Sequence, residues 1–128
     1  MKKKITDAEL ELMKLFWRES PRPLTFSDLR ELEQTMGWKK TTIQTHMVHL
    51  RDKGILKEVP GYDKRGDVAH YIATVTEDEF LAVESDNLLH KFFGGSAMKM
   101  VAALRQGGKL SNQEIDALRE YFRVEEEE

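Results

Sequence analysis

The segment that most restricts the fold of this 128-residue chain is the run WKKTTIQTHMVHLRDKGIL, from Trp38 to Leu56. Within it, Ile43, Met47 and Leu50 recur at helical spacing, so they share one face of a predicted helix. The opposite side carries short hydrogen-bonding side chains, namely Thr41, Gln44, Thr45 and His49. Basic residues flank that side: Lys39 and Lys40 before it, Arg51 and Lys53 after it. Such a helix is held to its domain by one face and leaves polar groups on the other.

The segments around this helix predict a winged helix-turn-helix. Upstream, TDAE at Thr6–Glu9 is a capping-box pattern that begins a helix to about Glu19. A second helix is predicted from Ser27 to Met36, closed by Gly37. Downstream, two β-favouring runs, Ile55–Val59 and Val68–Val75, enclose the turn-rich loop PGYDKRGD. Three helices followed by a hairpin place the third helix in the DNA major groove and the hairpin loop against the backbone.

The residue types in these positions suit contact with double-stranded DNA. Gln pairs with adenine, Thr bonds to either kind of base, and lysine and arginine meet phosphates. Residues 1–75 hold 14 Lys and Arg against 11 Asp and Glu, whereas residues 76–128 hold 6 against 12. The first part is therefore the one that attracts a polyanion. The predicted DNA-binding residues are Lys39, Lys40, Thr41, Thr42, Gln44, Thr45, His49, Lys64 and Arg65.

Other interpretations of the same residues predict different properties. A Thr- and Gln-rich helix face is commonly just solvated, and a winged helix can serve protein contact alone, without sequence-specific DNA binding. His46 and His49 are spaced for a shared metal, but the sequence identifies no third ligand, so neither a metal nor a cofactor is predicted. The chain contains no cysteine. It also shows no converging set of nucleophile and base, so an enzyme is not expected.

The C-terminal part predicts three helices with an unpartnered apolar surface. Capping boxes at Thr76 and Ser111 and the Gly94-Gly95 and Gly107-Gly108 pairs delimit helices to about Phe93, Gln106 and Arg123. The predicted domains are 1–75 for DNA binding and 76–123 for dimerisation, with a frayed acidic tail at 124–128. The apolar residues predicted to form a homodimer are Leu88, Leu89, Phe92, Met98, Val101, Leu104, Ile115, Leu118 and Phe122. The alternative is that this surface docks on the N-terminal domain.

The sequence lacks the signals of a membrane or exported protein. No apolar run approaches the roughly 20 residues of a membrane span. The basic start MKKK is not followed by the apolar stretch of a signal peptide. A cytoplasmic chain without membrane insertion is expected.

Four segments in this order resemble the BlaI/MecI, or penicillinase repressor, family of transcriptional regulators. They are ITDAELELMKLFW, GWKKTTIQTHMVHLRDKGIL, AVESDNLLHKFFGGS and KLSNQEIDALREYF, and the resemblance extends from Ile5 to Phe122. It implies a dimer with N-terminal winged helices and interlocking C-terminal helices. It also implies repression at two-fold symmetric operators with TACA/TGTA-like half-sites, and relief when a membrane β-lactam sensor-protease triggers cleavage in the dimerisation helices.

The chain departs from this family pattern in three places. The position of the family's Asn-Phe cleavage bond falls near Ala102-Ala103, where no Asn-Phe pair occurs. The cysteine cluster of the copper-responsive branch is missing. Many relatives have a Ser-Pro-Lys type of sequence where this chain has Lys39-Lys40-Thr41. The resemblance therefore implies a repressor without specifying its inducer, its operator sequence or a role for proteolysis.

Overall fold

A computed structural model describes residues 4–60 and 68–127 of the chain. They form seven helices and a two-stranded antiparallel sheet. The elements are α1 Asp7–Glu19, α2 Phe26–Leu29, α3 Glu31–Thr35, α4 Lys40–Asp52, β1 Leu56–Glu58, β2 Tyr71–Ala73, α5 Glu77–Phe93, α6 Ala97–Gln106 and α7 Asn112–Glu127. The fold is thus mainly α with a small β-hairpin, as predicted.

The chain divides into two compact units between Phe80 and Leu81, inside α5. The first unit contains α1 to α4 and the hairpin, in the order of a winged helix-turn-helix. The second unit contains the rest of α5 with α6 and α7. None of the helices in the described ranges is long and apolar enough to cross a membrane.

Helix α1 begins where the sequence predicts, because its capping box is complete. The Thr6 hydroxyl accepts a hydrogen bond from Glu9 N, and Glu9 Oε1 accepts one from Thr6 N. Two N–H groups that have no helical partner are thereby satisfied. The boxes at Thr76–Glu79 and Ser111–Glu114 form in the same way.

The predicted helix from Ser27 to Met36 is wrong in detail, since it is two short helices that meet at Arg30. The N–H of Arg30 bonds to Ser27 O, and Arg30 O accepts from Glu33 N, so the chain makes tight three-residue turns there. Gly37 ends α3 as predicted. Its φ of +69° is a left-handed conformation that favours glycine, and it lets Trp38 N reach back to Leu32 O.

The hairpin pairs Leu56 with Ala73 and Glu58 with Tyr71, so both strands are shorter than the predicted runs. Tyr71 also bridges to Leu24, which joins the segment after α1 to the sheet. The last predicted helix ends too early: α7 continues past Arg123 through Val124 to Glu127, so a frayed tail from residue 124 was a wrong expectation.

The core of the first unit lies between α1, α4 and the hairpin. Leu12, Met13 and Ile43 are completely buried there. Trp17 packs beside this core and donates from Nε1 to Val75 O at 3.0 Å. The core therefore fixes α4 against α1, and it determines which side of α4 faces outward.

Candidate nucleic-acid interface

The inner face of α4 is the apolar face predicted from its spacing. Ile43 and Leu50 are fully buried, and Met47 is nearly so. Gly54, with φ +78°, ends the helix region and lets Ile55 N bond to Leu50 O. Because these contacts hold α4 along its length, the helix presents one defined face to solvent.

The outer face of α4 carries the predicted polar side chains. Thr41, Gln44, Thr45 and His49 are exposed, and Thr42 and Val48 are half-buried. The Thr45 hydroxyl donates to Thr41 O at 2.8 Å. Its proton is thus used inside the helix, so Thr45 offers its methyl group and an acceptor lone pair outward. The side-chain amide of Gln44 has no hydrogen-bond partner among the described residues, so it can both donate and accept.

The start of α4 differs from the start of the other long helices. Its N-cap, Lys39, provides no side-chain acceptor, whereas α1 and α6 are capped by Thr6 and Ser96. Within the described part of the chain, the N–H groups of Lys40 and Thr41 have no partner. The side chains of Lys39 and Lys40 are exposed beside them. An uncapped helix start with two cations next to it is suited to bind an anion.

Lys53 does not belong to the cationic flank that the sequence suggested. Its ammonium donates to Glu9 Oε1 at 2.5 Å and to Lys4 O at 2.8 Å. Arg51, in contrast, is exposed, with Asp52 Oδ1 at 3.6 Å. The positive charge of Lys53 is therefore paired within the first unit.

Glu9 is the buried carboxylate that accepts this charge, and only 1% of its surface is exposed. Burial is the largest single influence and raises its pKa, but the hydrogen bonds from Lys53 and Thr6 N outweigh it. The pKa of Glu9 is consequently lowered. In the sequence, Glu9 belongs only to a capping box, since no sequence pattern pairs it with Lys53, which lies 44 positions away.

Glu9 also lies beside the two histidines of α4. One ligand atom from each of Glu9, His46 and His49 lies within 4.8 Å of the others. His46 is half-buried, with its ring centroid 5.0 Å from that of Trp38. The third potential ligand that the sequence did not identify is thus supplied by α1.

The structure does not bear on two of the predicted DNA-binding residues. Lys64 and Arg65, in the loop of the hairpin, lie outside the described residues. The two strands on either side of this loop are paired, and the hydrogen bonds between them extend to Val59 N, which donates to His70 O.

In the second unit, the residues predicted to form a dimer have little cover within the single chain. Phe92 is 66% exposed and Met98 is 76% exposed. Among the rest, Leu89 and Ile115 are half-buried, and the following are exposed: Leu88, Val101, Leu104, Leu118 and Phe122. Ala102 and Ala103 lie exposed in the middle of α6.

Comparison with known proteins identifies relatives for nearly the whole chain. The family model described as penicillinase repressor matches residues 5–123. The Bacillus licheniformis penicillinase repressor is 35% identical over 89% of this chain and 85% of its own. The methicillin resistance regulatory protein MecI of Staphylococcus aureus strain N315 is 25% identical over 90% of this chain and 89% of its own.

A solved structure resembles the first unit. It is the solution structure of the DNA-binding domain of the repressor BlaI, which is 36% identical and has a TM-score of 0.50. The match covers 62% of this chain and 93% of that domain. The family match spans both units. The chain therefore belongs to the penicillinase repressor family, whose members are transcriptional regulators and not enzymes.

Proposed function

We propose that this chain represses transcription as a cytoplasmic homodimer that binds a two-fold symmetric DNA operator through α4. The observation that carries the proposal is the division of α4 into two faces. Ile43 and Leu50 are fully buried, while Thr41 and Gln44 are exposed on the other side. A helix held in this way can enter a major groove and bring short polar side chains close to base edges.

The outer face of α4 has one side chain suited to direct base recognition. The Gln44 amide can bond to adenine through its oxygen and nitrogen at once. Thr45, with its proton used by Thr41 O, contacts a thymine methyl through its own methyl group. At about 100° per residue, Thr41 and Val48 lie next to them, whereas Thr42 and His49 lie toward the edge of this face. Gln44 is therefore the principal reader of sequence.

The start of α4 is the principal phosphate anchor in this proposal. The N–H groups of Lys40 and Thr41, which have no partner among the described residues, lie at the same end of α4 as the exposed side chains of Lys39 and Lys40. A phosphate there gains both hydrogen bonds and charge, without any information about base sequence. Lys64 and Arg65 provide a second phosphate contact from the hairpin loop.

Two substitutions separate base reading from phosphate binding. Gln44→Ala is expected to cost about 1–3 kcal/mol on the cognate operator and to relax base discrimination at one position. Lys40→Ala is expected to weaken binding to all duplexes alike and to reduce the salt slope by roughly one unit. Both are measured by fluorescence anisotropy at several salt concentrations. An equal loss on every duplex for Gln44→Ala would exclude it from the reading face.

The homodimer is supported by the exposed apolar side chains of the second unit. Side chains as large as Phe92 and Met98 are costly to leave in water, at about 25 cal/mol per Å² of apolar surface. A second copy of the same surface covers them and brings two α4 helices about 34 Å apart, one DNA turn. Sedimentation equilibrium tests this, because a monomer at micromolar concentration contradicts the proposal.

Two mechanisms of release from DNA are compared, namely cleavage of the chain and a change in dimer geometry. A membrane sensor-protease acting near Ala102-Ala103 would have to unwind α6, and two alanines favour the helical state. The glycine pairs on either side make local opening less costly. Immunoblots of the native host under β-lactam and cell-envelope stress distinguish the two, since derepression with the chain intact excludes cleavage.

A further inference from the structure

We infer that Glu9, His46 and His49 form a binding site for a divalent transition-metal ion, of which zinc is the best-suited example. The site joins α1 to α4 within the first unit. It shares His49 with the predicted DNA-binding residues, but the binding of a metal can be measured without DNA.

The geometry brings three ligands of the right kind together. His46 and His49 are three positions apart on one helix, so they are neighbours on its surface. The Glu9 carboxylate reaches the same point from α1, with the three ligand atoms within 4.8 Å of one another. Four-coordinate zinc, with bonds of about 2.0–2.2 Å, requires ligand atoms roughly 3.3–3.6 Å apart. Metal binding therefore draws the ligand atoms closer together, and the exposed His49 is the side chain with the most freedom to turn.

The chemistry of the ligands favours zinc over harder cations. Two imidazole nitrogens and one carboxylate oxygen are a common set for zinc, with water in the fourth position. Calcium and magnesium prefer sites built wholly from oxygen. Of the three ligands, Glu9 is buried and held by Thr6 N, and His46 rests against Trp38. Only His49 is exposed, so most of the site is already ordered before the metal binds.

Lys53 is the competitor at this site. Its ammonium bonds to Glu9 Oε1, the same oxygen that accepts from Thr6 N. No described group bonds to the other oxygen, Oε2, so a metal can bind there while Oε1 keeps its partners. The nearby positive charge lowers metal affinity. Because the Lys53 side chain is 30% exposed, it can turn toward solvent when the metal arrives.

The test measures zinc binding and thermal unfolding on the full-length chain without DNA. One zinc ion per chain is expected by isothermal titration calorimetry. At a zinc concentration about 100 times Kd, the unfolding temperature of the first unit should rise by roughly 10–20 °C. Magnesium at the same concentration is expected to leave it unchanged.

Matched glutamine variants assign the ligands. His49→Gln and His46→Gln should each weaken zinc binding at least tenfold, and His49→Gln should leave the metal-free unfolding temperature unchanged because the side chain is exposed. His90→Gln is the control, since His90 lies exposed in the second unit near Asp86. Lys53→Gln should tighten zinc binding by removing the competing charge.

Clear outcomes overturn the inference. If zinc binds the His46 and His49 variants as tightly as it binds the wild type, the ligands are elsewhere in the chain. If binding is abolished by His90→Gln, the metal sits in the second unit. If zinc produces no saturable binding and no shift in unfolding temperature, the site does not exist.

Discussion

The two units use similar apolar side chains in opposite ways. In the unit that ends at Phe80, Leu12 and Leu50 are fully buried. From Leu81 to Glu126, no side chain is buried, although Phe92 and Phe122 are as large as Phe16, a core residue of the first unit. The difference shows that a chain can form well-capped helices without forming a buried core. The second unit has well-capped helices, but its apolar surface lacks cover within the single chain.

The largest expected difference is in the free energy of unfolding after core truncation. Leu12→Ala should destabilise the first unit by about 2–5 kcal/mol, because it removes a fully buried side chain and leaves a cavity. Leu118→Ala, at 40% exposure in the second unit, is the matched control. At protein concentrations too low for association it should change stability by less than about 0.5 kcal/mol. Urea denaturation of both variants makes the comparison, and equal losses would contradict it.

Replacing a large apolar side chain on the surface of the second unit with alanine should weaken association instead of folding. Phe92→Ala is expected to weaken the dimer by about 2 kcal/mol, or roughly 30-fold in Kd, because large aromatic side chains dominate interfaces. Analytical ultracentrifugation across a dilution series measures this. Met36→Ala, an exposed apolar residue of the first unit, should leave the dimer Kd unchanged. A parallel loss in both variants would mean that association is not specific to the second unit.

The buried Glu9 should make the first unit sensitive to acid. Glu9→Gln keeps a residue that can complete the capping box, but it removes the charge that pairs with Lys53. A loss of about 1–2 kcal/mol is expected near neutral pH, below that of a fully buried pair because Lys53 is partly exposed.

The pH dependence of this loss follows from the lowered pKa of Glu9. Its contribution is fully present above the ordinary carboxyl value of 4.5 and disappears as pH falls through the lower pKa of the folded state. The difference between the wild type and Glu9→Gln should therefore shrink below pH 4.5. Glu58→Gln, at an exposed position, is the control. A difference that stays constant down to pH 3 would rule out this role for the charge.

Local sequence patterns predicted the parts of the fold that depend on nearby residues. Each capping box joins residues three positions apart, so Thr6 and Ser111 could be assigned without knowledge of the tertiary structure. The inner face of α4 also followed from spacing alone, because Ile43 and Leu50 belong to one helix. Arg30 was the local exception, since no glycine or proline marks the junction of α2 and α3.

Contacts between distant segments could not be predicted from such patterns. The Lys53–Glu9 pair and the approach of Glu9 to the α4 histidines depend on how α1 crosses α4. The free start of α4 was hidden in part, because Lys39 has no acceptor of its own but capping by a distant side chain depends on the tertiary structure. The contacts of the candidate site that the sequence did not predict therefore lie mainly between α1 and α4.

The smallest expected effect comes from a matched pair of capping-box substitutions, one in each unit. Thr6→Ala and Ser111→Ala each remove a hydroxyl that accepts at 3.1 Å from the N–H three residues later. Each should cost about 1 kcal/mol of helix stability. For Thr6 the loss should be seen in unfolding at every protein concentration, because α1 belongs to a closed core. For Ser111 it should appear as weaker self-association, because α7 gains its partner only in the dimer. Both chains of the homodimer lose about 1 kcal/mol, so Kd should rise roughly 30-fold. A concentration-independent loss of stability in Ser111→Ala would mean that the second unit folds without a partner.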